Sequence, residues 1–291
     1  MIECVPNFSE GREPATIAGI AAAIQEVKGV ALLGFESDAD HHRSVITFAG
    51  EPEGVLEAAV RAVGKAAELI DLRRHVGVHP RVGAADVVPF VPLDGSTLDD
   101  CVAIAHRAGS EVWRQFGVPV YFYEAAAKLA ERRRLEKTRR TGFDGRPPDI
   151  GDIAEHATAG AAMVGARNFL IAYNINLLTP DAAIAKQIAF RVRESSGGFR
   201  FVKAMGLHLA TLGRAQVSMN LTNFAGIELD DLYAAVAAEA ARLGTAIAES
   251  ELIGFIPRSA YEKSPAFFER IRDFDESRII ENRIEQLLQS K

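Results

Sequence analysis

The chain has 291 residues, 48% of them apolar, enough to bury one large core or two modest ones, and its composition is that of an ordered soluble protein. Its formal net charge of -6 is small and spread along the chain, which excludes the basic stripe that nucleic-acid binding needs. No apolar run approaches the roughly 20 residues that span a bilayer, and Met1 to Pro6 lacks the positive and apolar regions of a secretion signal. The expectation is a cytoplasmic protein with no nucleic-acid or membrane partner.

Taken in order, Ile2 to Phe8 reads as a strand and Ile17 to Val27 as an amphipathic helix. Val30 to Phe35 and Ser44 to Ala49 form a β-hairpin around a polar tip, Ser37 to His42. Pro52 opens a helix whose apolar residues recur every three or four positions from Val55 to Ile70. After a loop rich in His, Gly, Pro and Arg, Ala85 to Val91 is a buried strand. The helix Leu98 to Phe116 and the strand Val118 to Tyr123 follow, the latter at an edge because of Pro119. Residues 127 to 151 are charged or turn-forming, and their basic run predicts a solvated surface segment.

The second half repeats this order: strand Phe169 to Leu177, helix Asp181 to Glu194, strands Arg200 to Leu209 and Gln216 to Thr222, helix Leu229 to Leu243, strand Ile247 to Ile253. Each half is a β-α-β-β-α-β unit. The expected fold class is therefore α+β, with two ferredoxin-like subdomains, 1–178 and 179–291, forming a cleft or tunnel. A helical tail from Pro257 presents an apolar stripe of Ile279, Ile280, Ile284, Leu287 and Leu288. The helix faces give no oligomeric state, and a homodimer is the default expectation.

Three clusters carry candidate chemistry. The first is the loop Arg73, Arg74, His75, Gly77, His79, Pro80, Arg81, Gly83, where arginine forks suit carboxylates and a histidine titrates near neutral pH. His79 is the candidate proton carrier; a loop histidine bonded to a backbone carbonyl is the other role the sequence allows. The second is the hairpin tip, with Glu36, Asp38, Asp40, His41, His42 and Arg43. No metal is expected at either place, since adjacent histidines share one ion poorly and Gly77 and Pro80 break the helix that a His75–His79 ligand spacing requires. The third runs from Thr158, Gly160 and Gly165 to Asn174 and Asn176, two amides on one strand face. Gln216, Ser218 and Asn220 likewise share a face, suited to a ligand with amide-like edges.

Five stretches then resemble the formiminotransferase family in order along the chain: 3–12 (ECVPNFSEGR), 77–86 (GVHPRVGAAD), 118–123 (VPVYFY), 165–177 (GARNFLIAYNINL) and 215–220 (AQVSMN). The resemblance implies two α/β subdomains with a folate-binding tunnel, and tetrahydrofolate as co-substrate without a metal. It places His79 at the family's catalytic histidine, and 156–165 and 214–220 at its folate-contacting stretches. Glu36, His41, Arg43, Arg81, Thr158, Gly160, Gly165, Asn174, Asn176, Gln216, Ser218 and Asn220 are the expected substrate and folate contacts. The hairpin tip departs from the family pattern, with Glu36-Ser-Asp38 for Asp-x-Asp and His42-Arg43 for Asn-Arg. The implied activity is transfer of a formimino group from formiminoglutamate to tetrahydrofolate, in histidine breakdown. A glutamate formyltransferase and a non-catalytic folate-binding protein are the alternatives the residues leave open.

Overall fold

The computed structural model describes residues 1–76, 81–141, 147–152 and 156–289. Two compact units divide after Asn168. The first contains β1 (Ile2–Cys4), β2 (Asn7–Phe8), α1 (Pro14–Gln25), β3 (Val30–Asp38), β4 (Arg43–Gly50), α2 (Pro52–Leu69), β5 (Ala85–Pro92), α3 (Leu98–Phe116), β6 (Val120–Glu124), α4 (Leu135–Thr141) and β7 (Ala162–Ala166). The single strand expected over 2–8 is split into β1 and β2 at Pro6, which has no N–H for the ladder, although its carbonyl still accepts from Ile46 N.

Within the first sheet, β3, β4, the β1/β2 strand and β5 lie side by side and antiparallel. This is the order in which the fourth strand of a β-α-β-β-α-β unit flanks the first. β7 and then β6 extend the sheet beyond β5 in parallel. β6 is the edge that Pro119 predicted, and β7 is a strand the sequence pattern did not single out. One face of the sheet packs on α1, α2 and α3 through Ile20, Ile24, Phe48, Val55, Val63, Phe90 and Ile104. α3 is bounded by a capping box, with Asp100 N donating to Thr97 Oγ1 at 3.2 Å and Thr97 N to the Asp100 carboxylate at 2.8 Å, and by Gly117 at φ 64°.

The opposite face carries a smaller cluster, Val82, Val87, Tyr121, Tyr123 and Met163, against which Leu135 packs. Here the expected solvated basic segment is corrected in part: Glu131, Arg133, Arg134 and Lys137 are exposed as expected, but Arg132 turns inward. Arg132 is buried, its Nη1 paired to Asp149 at 2.7 Å, its Nη2 donating to the Pro147 carbonyl and its guanidinium over the Tyr121 ring. A stacked, bonded guanidinium loses little by leaving water, which charge counting along the sequence does not register.

The second unit contains β8 (Ile171–Leu177), α5 (Ala182–Val192), β9 (Val202–Leu209), β10 (Arg214–Leu221), α6 (Leu229–Arg242), β11 (Ile247–Ile253), α7 (Arg258–Lys263), α8 (Pro265–Glu269) and α9 (Ile280–Gln289). Its antiparallel sheet runs β11-β8-β10-β9, the same order as the first. The boundary expected at 178/179 moves to Asn168, because β8 pairs with β10 and β11 of this second sheet. Of the tail stripe, Ile279 and Ile280 are buried and Ile284 and Leu287 half-buried; much of the docking is by Phe267, Phe268 and Ile271. Among the described residues no helix is long and apolar enough to cross a membrane.

Candidate active site

The β3–β4 hairpin delivers the first group of side chains. Asp38 Oδ1 accepts from His41 N at 2.7 Å and closes the tip, while His42 takes φ 49°, in the left-handed region. Asparagine and histidine tolerate that conformation better than most residues. Next along β4, Arg43 donates from Nε to Asn7 Oδ1 at 2.9 Å and places Nη1 3.0 Å from Asp86 Oδ2. Asp86 faces this way because β2 and β5 slip by one residue there, Asn7 opposing Val87 and Phe8 opposing Ala85. Its other oxygen accepts from Val82 N at 2.8 Å, and Arg139 of α4 donates to Oδ2 at 2.5 Å. Asp86 is fully buried. Burial lowers the Arg43 proton affinity to about 10, against the pull of Asp86, so the guanidinium stays charged at neutral pH.

Beside it, Glu10 Oε1 accepts from the backbone N–H groups of Gly11, Arg12 and Glu13 at 2.7–3.1 Å, just ahead of α1. Gly11 N also donates to His42 Nδ1 at 3.1 Å, and the His42 and His75 rings lie with centroids 3.6 Å apart. Arg81 reaches the same place, donating to the His41 carbonyl at 3.0 Å, to the His42 carbonyl at 3.2 Å and to His75 Nδ1. Ligand atoms of Glu10, His42 and His75 lie within 4.8 Å of one another, a spacing that a metal ion could bridge. The donor set argues otherwise: Glu10 Oε1 receives three N–H groups, His42 Nδ1 receives one, and a guanidinium abuts His75.

His79, with Gly77, Val78 and Pro80, lies outside the described residues. Its flanks are fixed: Leu72 N donates to the Thr158 carbonyl, Ala84 N to Ala159 and Ala161 N to Val82. Thr158, Ala159 and Ala161 thus hold the chain on either side of that loop. Gly160 has φ 66°, and a Cβ there would fall 2.3 Å from the Val82 carbonyl. Gly165 lies in β7 beneath the Tyr123 ring. By register Glu36 shares a sheet face with Arg43, two residues before Asp38.

In the second unit, register alone assembles a polar face. Asn176 opposes Gln216 and Glu249, and Asn174 opposes Ser218 and Glu251. Gln216 Nε2 donates to Asn176 Oδ1 at 2.9 Å and to Glu251 Oε1 at 2.7 Å; Arg214 and Arg272 reach Glu249 at 3.1 and 2.8 Å. Gln216 is fully buried, and its Oε1 has no partner among the described residues. Asn220 lies exposed at the far end, opposite Ala172 and Lys203. The alternate residues Tyr173, Ile175, Val217 and Met219 belong to the core. Asp86, Arg139, Glu249, Glu251 and Arg272 are site residues that the sequence pattern did not single out. Two acids at strand spacing in Ile247–Ile253 were a readable signal for Glu249 and Glu251; nothing local marks the other three.

A family model of the formiminotransferase domain's N-terminal subdomain matches residues 1–167, and one of the formiminotransferase domain matches residues 172–290. The chain is 40% identical to the glutamate formimidoyltransferase of Streptococcus pyogenes serotype M1, over 98% of both chains. It has the same identity, over 98% of both, to that of Thermoplasma acidophilum. To the formimidoyltransferase-cyclodeaminase of Sus scrofa it is 38% identical over 92% of its own length, spanning 52% of that protein. The class these findings define is a transferase. More narrowly, the chain belongs to the formiminotransferase family.

Proposed function

We propose that this chain is a glutamate formimidoyltransferase, moving the formimino group of N-formimino-L-glutamate to tetrahydrofolate and releasing glutamate. The observation that carries the reading is Asp86 with Arg43 and Arg139, beside Arg81, in a chain similar over nearly its whole length to two enzymes of that name. Both substrates carry carboxylates, and rigid guanidinium forks on a buried anchor are suited to clamp them. Arg43 and Arg81 are the clamps for the formiminoglutamate carboxylates. The amide face of Asn174, Asn176, Gln216 and Ser218 is the surface proposed for the folate ring.

In the proposed reaction, nitrogen 5 of tetrahydrofolate attacks the amidine carbon, and the tetrahedral intermediate collapses with loss of the glutamate nitrogen. One proton leaves the attacking nitrogen and one reaches the departing nitrogen. His79 of the family's His-Pro-Arg motif is the proposed carrier of both, a role worth about 10²- to 10⁴-fold in rate. Holding the two substrates together supplies much of the remainder through proximity.

An anaerobic assay with tetrahydrofolate and formiminoglutamate, following free glutamate and the formimino adduct, tests this. Equal amounts of both products are expected, with turnover lost and folate affinity kept in His79→Ala. Turnover with formylglutamate alone would assign a formyltransferase instead, and folate binding with no turnover a carrier.

A further inference from the structure

Arg81 is held by its two terminal nitrogens. The His41 and His42 carbonyls take one N–H each, and Nη1 also faces Nδ1 of His75. Arginine offers only donors, so the imidazole nitrogen that meets it must present a lone pair, and the His75 ring must be neutral. The surroundings keep it so. Burial first, then the charge of Arg81 and the adjacent His42 ring, bring the His75 proton affinity down to about 4, against Glu10 and the Ser9 backbone, which raise it. The groups that act on the ring are Arg81, His42, Glu10 and the Ser9 backbone; Arg12 acts on His42 and Arg81 beside it. Glu10 Oε1 is engaged by three backbone N–H groups, so a protonated His75 would stand against a guanidinium with little to offset it. The His42 ring lies against that of His75, tilted by 36°, with its own Nδ1 accepting from Gly11 N.

We infer that His75 is a positioning residue: its neutral ring is the acceptor that sets the Arg81 guanidinium in the orientation that clamps a formiminoglutamate carboxylate. The inference rests on the clamp role proposed for Arg81, and the experiment separates the two. KM and kcat for formiminoglutamate are measured at saturating tetrahydrofolate for the wild type, His75→Ala, His75→Gln, Arg81→Lys and the double variant His75→Ala/Arg81→Lys. His75→Ala should raise KM on the order of tenfold, the weight of one charge-assisted hydrogen bond, with kcat within about twofold. His75→Gln, which brings an amide oxygen, should recover most of the loss. Arg81→Lys should raise KM similarly, and the double variant should be little worse than either, because the two residues act as a unit.

The wild-type KM should also climb faster than that of His75→Gln as pH falls towards about 4, where the folded ring takes its proton. Titration of the substrate is common to both enzymes and cancels in this comparison. A fall in kcat at unchanged KM in His75→Ala, or independent addition of the two effects, would overturn the inference. An unchanged KM in Arg81→Lys would remove the clamp and the inference with it, while wild-type turnover leaves the transferase assignment standing. If His75→Ala melts below the assay temperature, the pH profile of His75→Gln decides alone.

Discussion

Asp86 is the residue on which the first unit's charge arrangement turns. Its carboxylate binds Arg43 from the hairpin and Arg139 from a helix 53 residues further on, with both guanidinium groups largely buried. Removing one partner of a buried ionic group costs more than the group contributes when intact, since the remaining charge loses its offset. Asp86→Asn should therefore destabilise the protein by about 3–5 kcal/mol, read from urea unfolding. A loss under about 1 kcal/mol would mean that water screens the pair as it does at a surface. In the sequence, Asp86 closes the second family stretch and Arg139 belongs to a basic run. No local pattern joins them, because a β-bulge and the docking of α4 bring them together.

Among the elements, β7 was the one the periodicity did not reveal. Its residues Ala162, Met163, Val164, Gly165 and Ala166 are all buried, so there is no alternation to read, and the run is short and flanked by more small residues. Strand character comes from β5 and β6, its parallel neighbours on either side. Gly165 shows how tightly it is placed, since a Cβ there would meet the Tyr123 ring at 2.5 Å and Tyr123 is itself buried. Gly165→Ala should cost about 1–3 kcal/mol through overpacking, seen as a lower melting temperature. An unchanged melt would show that the ring swings aside freely. Other elements were legible from end to end. α3 has a Thr-Asp box at its start and Gly117 at its end, and Ile247–Ile253 appears as the strand the sequence marks out.

For the whole molecule, pH links the site to stability. His75 binds its proton at about 4 in the folded chain against an ordinary 6.5, and burial lowers His42 in the same sense. Above about pH 6.5 neither state takes the proton. Below it the unfolded chain takes a proton that the folded chain refuses, so stability falls until the folded ring also titrates near 4. The melting temperature should thus decrease between pH 7 and 5, and more gently in His75→Gln; equal slopes would discard this account. Asp71, held near 2 by its bond to Arg73, acts at lower pH and leaves that window clear.

By itself the sequence determined the duplicated β-α-β-β-α-β order, the amide-bearing strands and the family, because these depend on local periodicity and on motifs contiguous in the chain. Only the tertiary structure decided that β7 is a strand, that Arg132 and Arg139 turn inward, that β8 belongs to the second unit, and that Glu10, His42, His75 and Arg81 converge. Each of these depends on groups far apart in sequence, whose burial and pairing outweigh the preference a charged or small residue shows when its neighbours alone are considered.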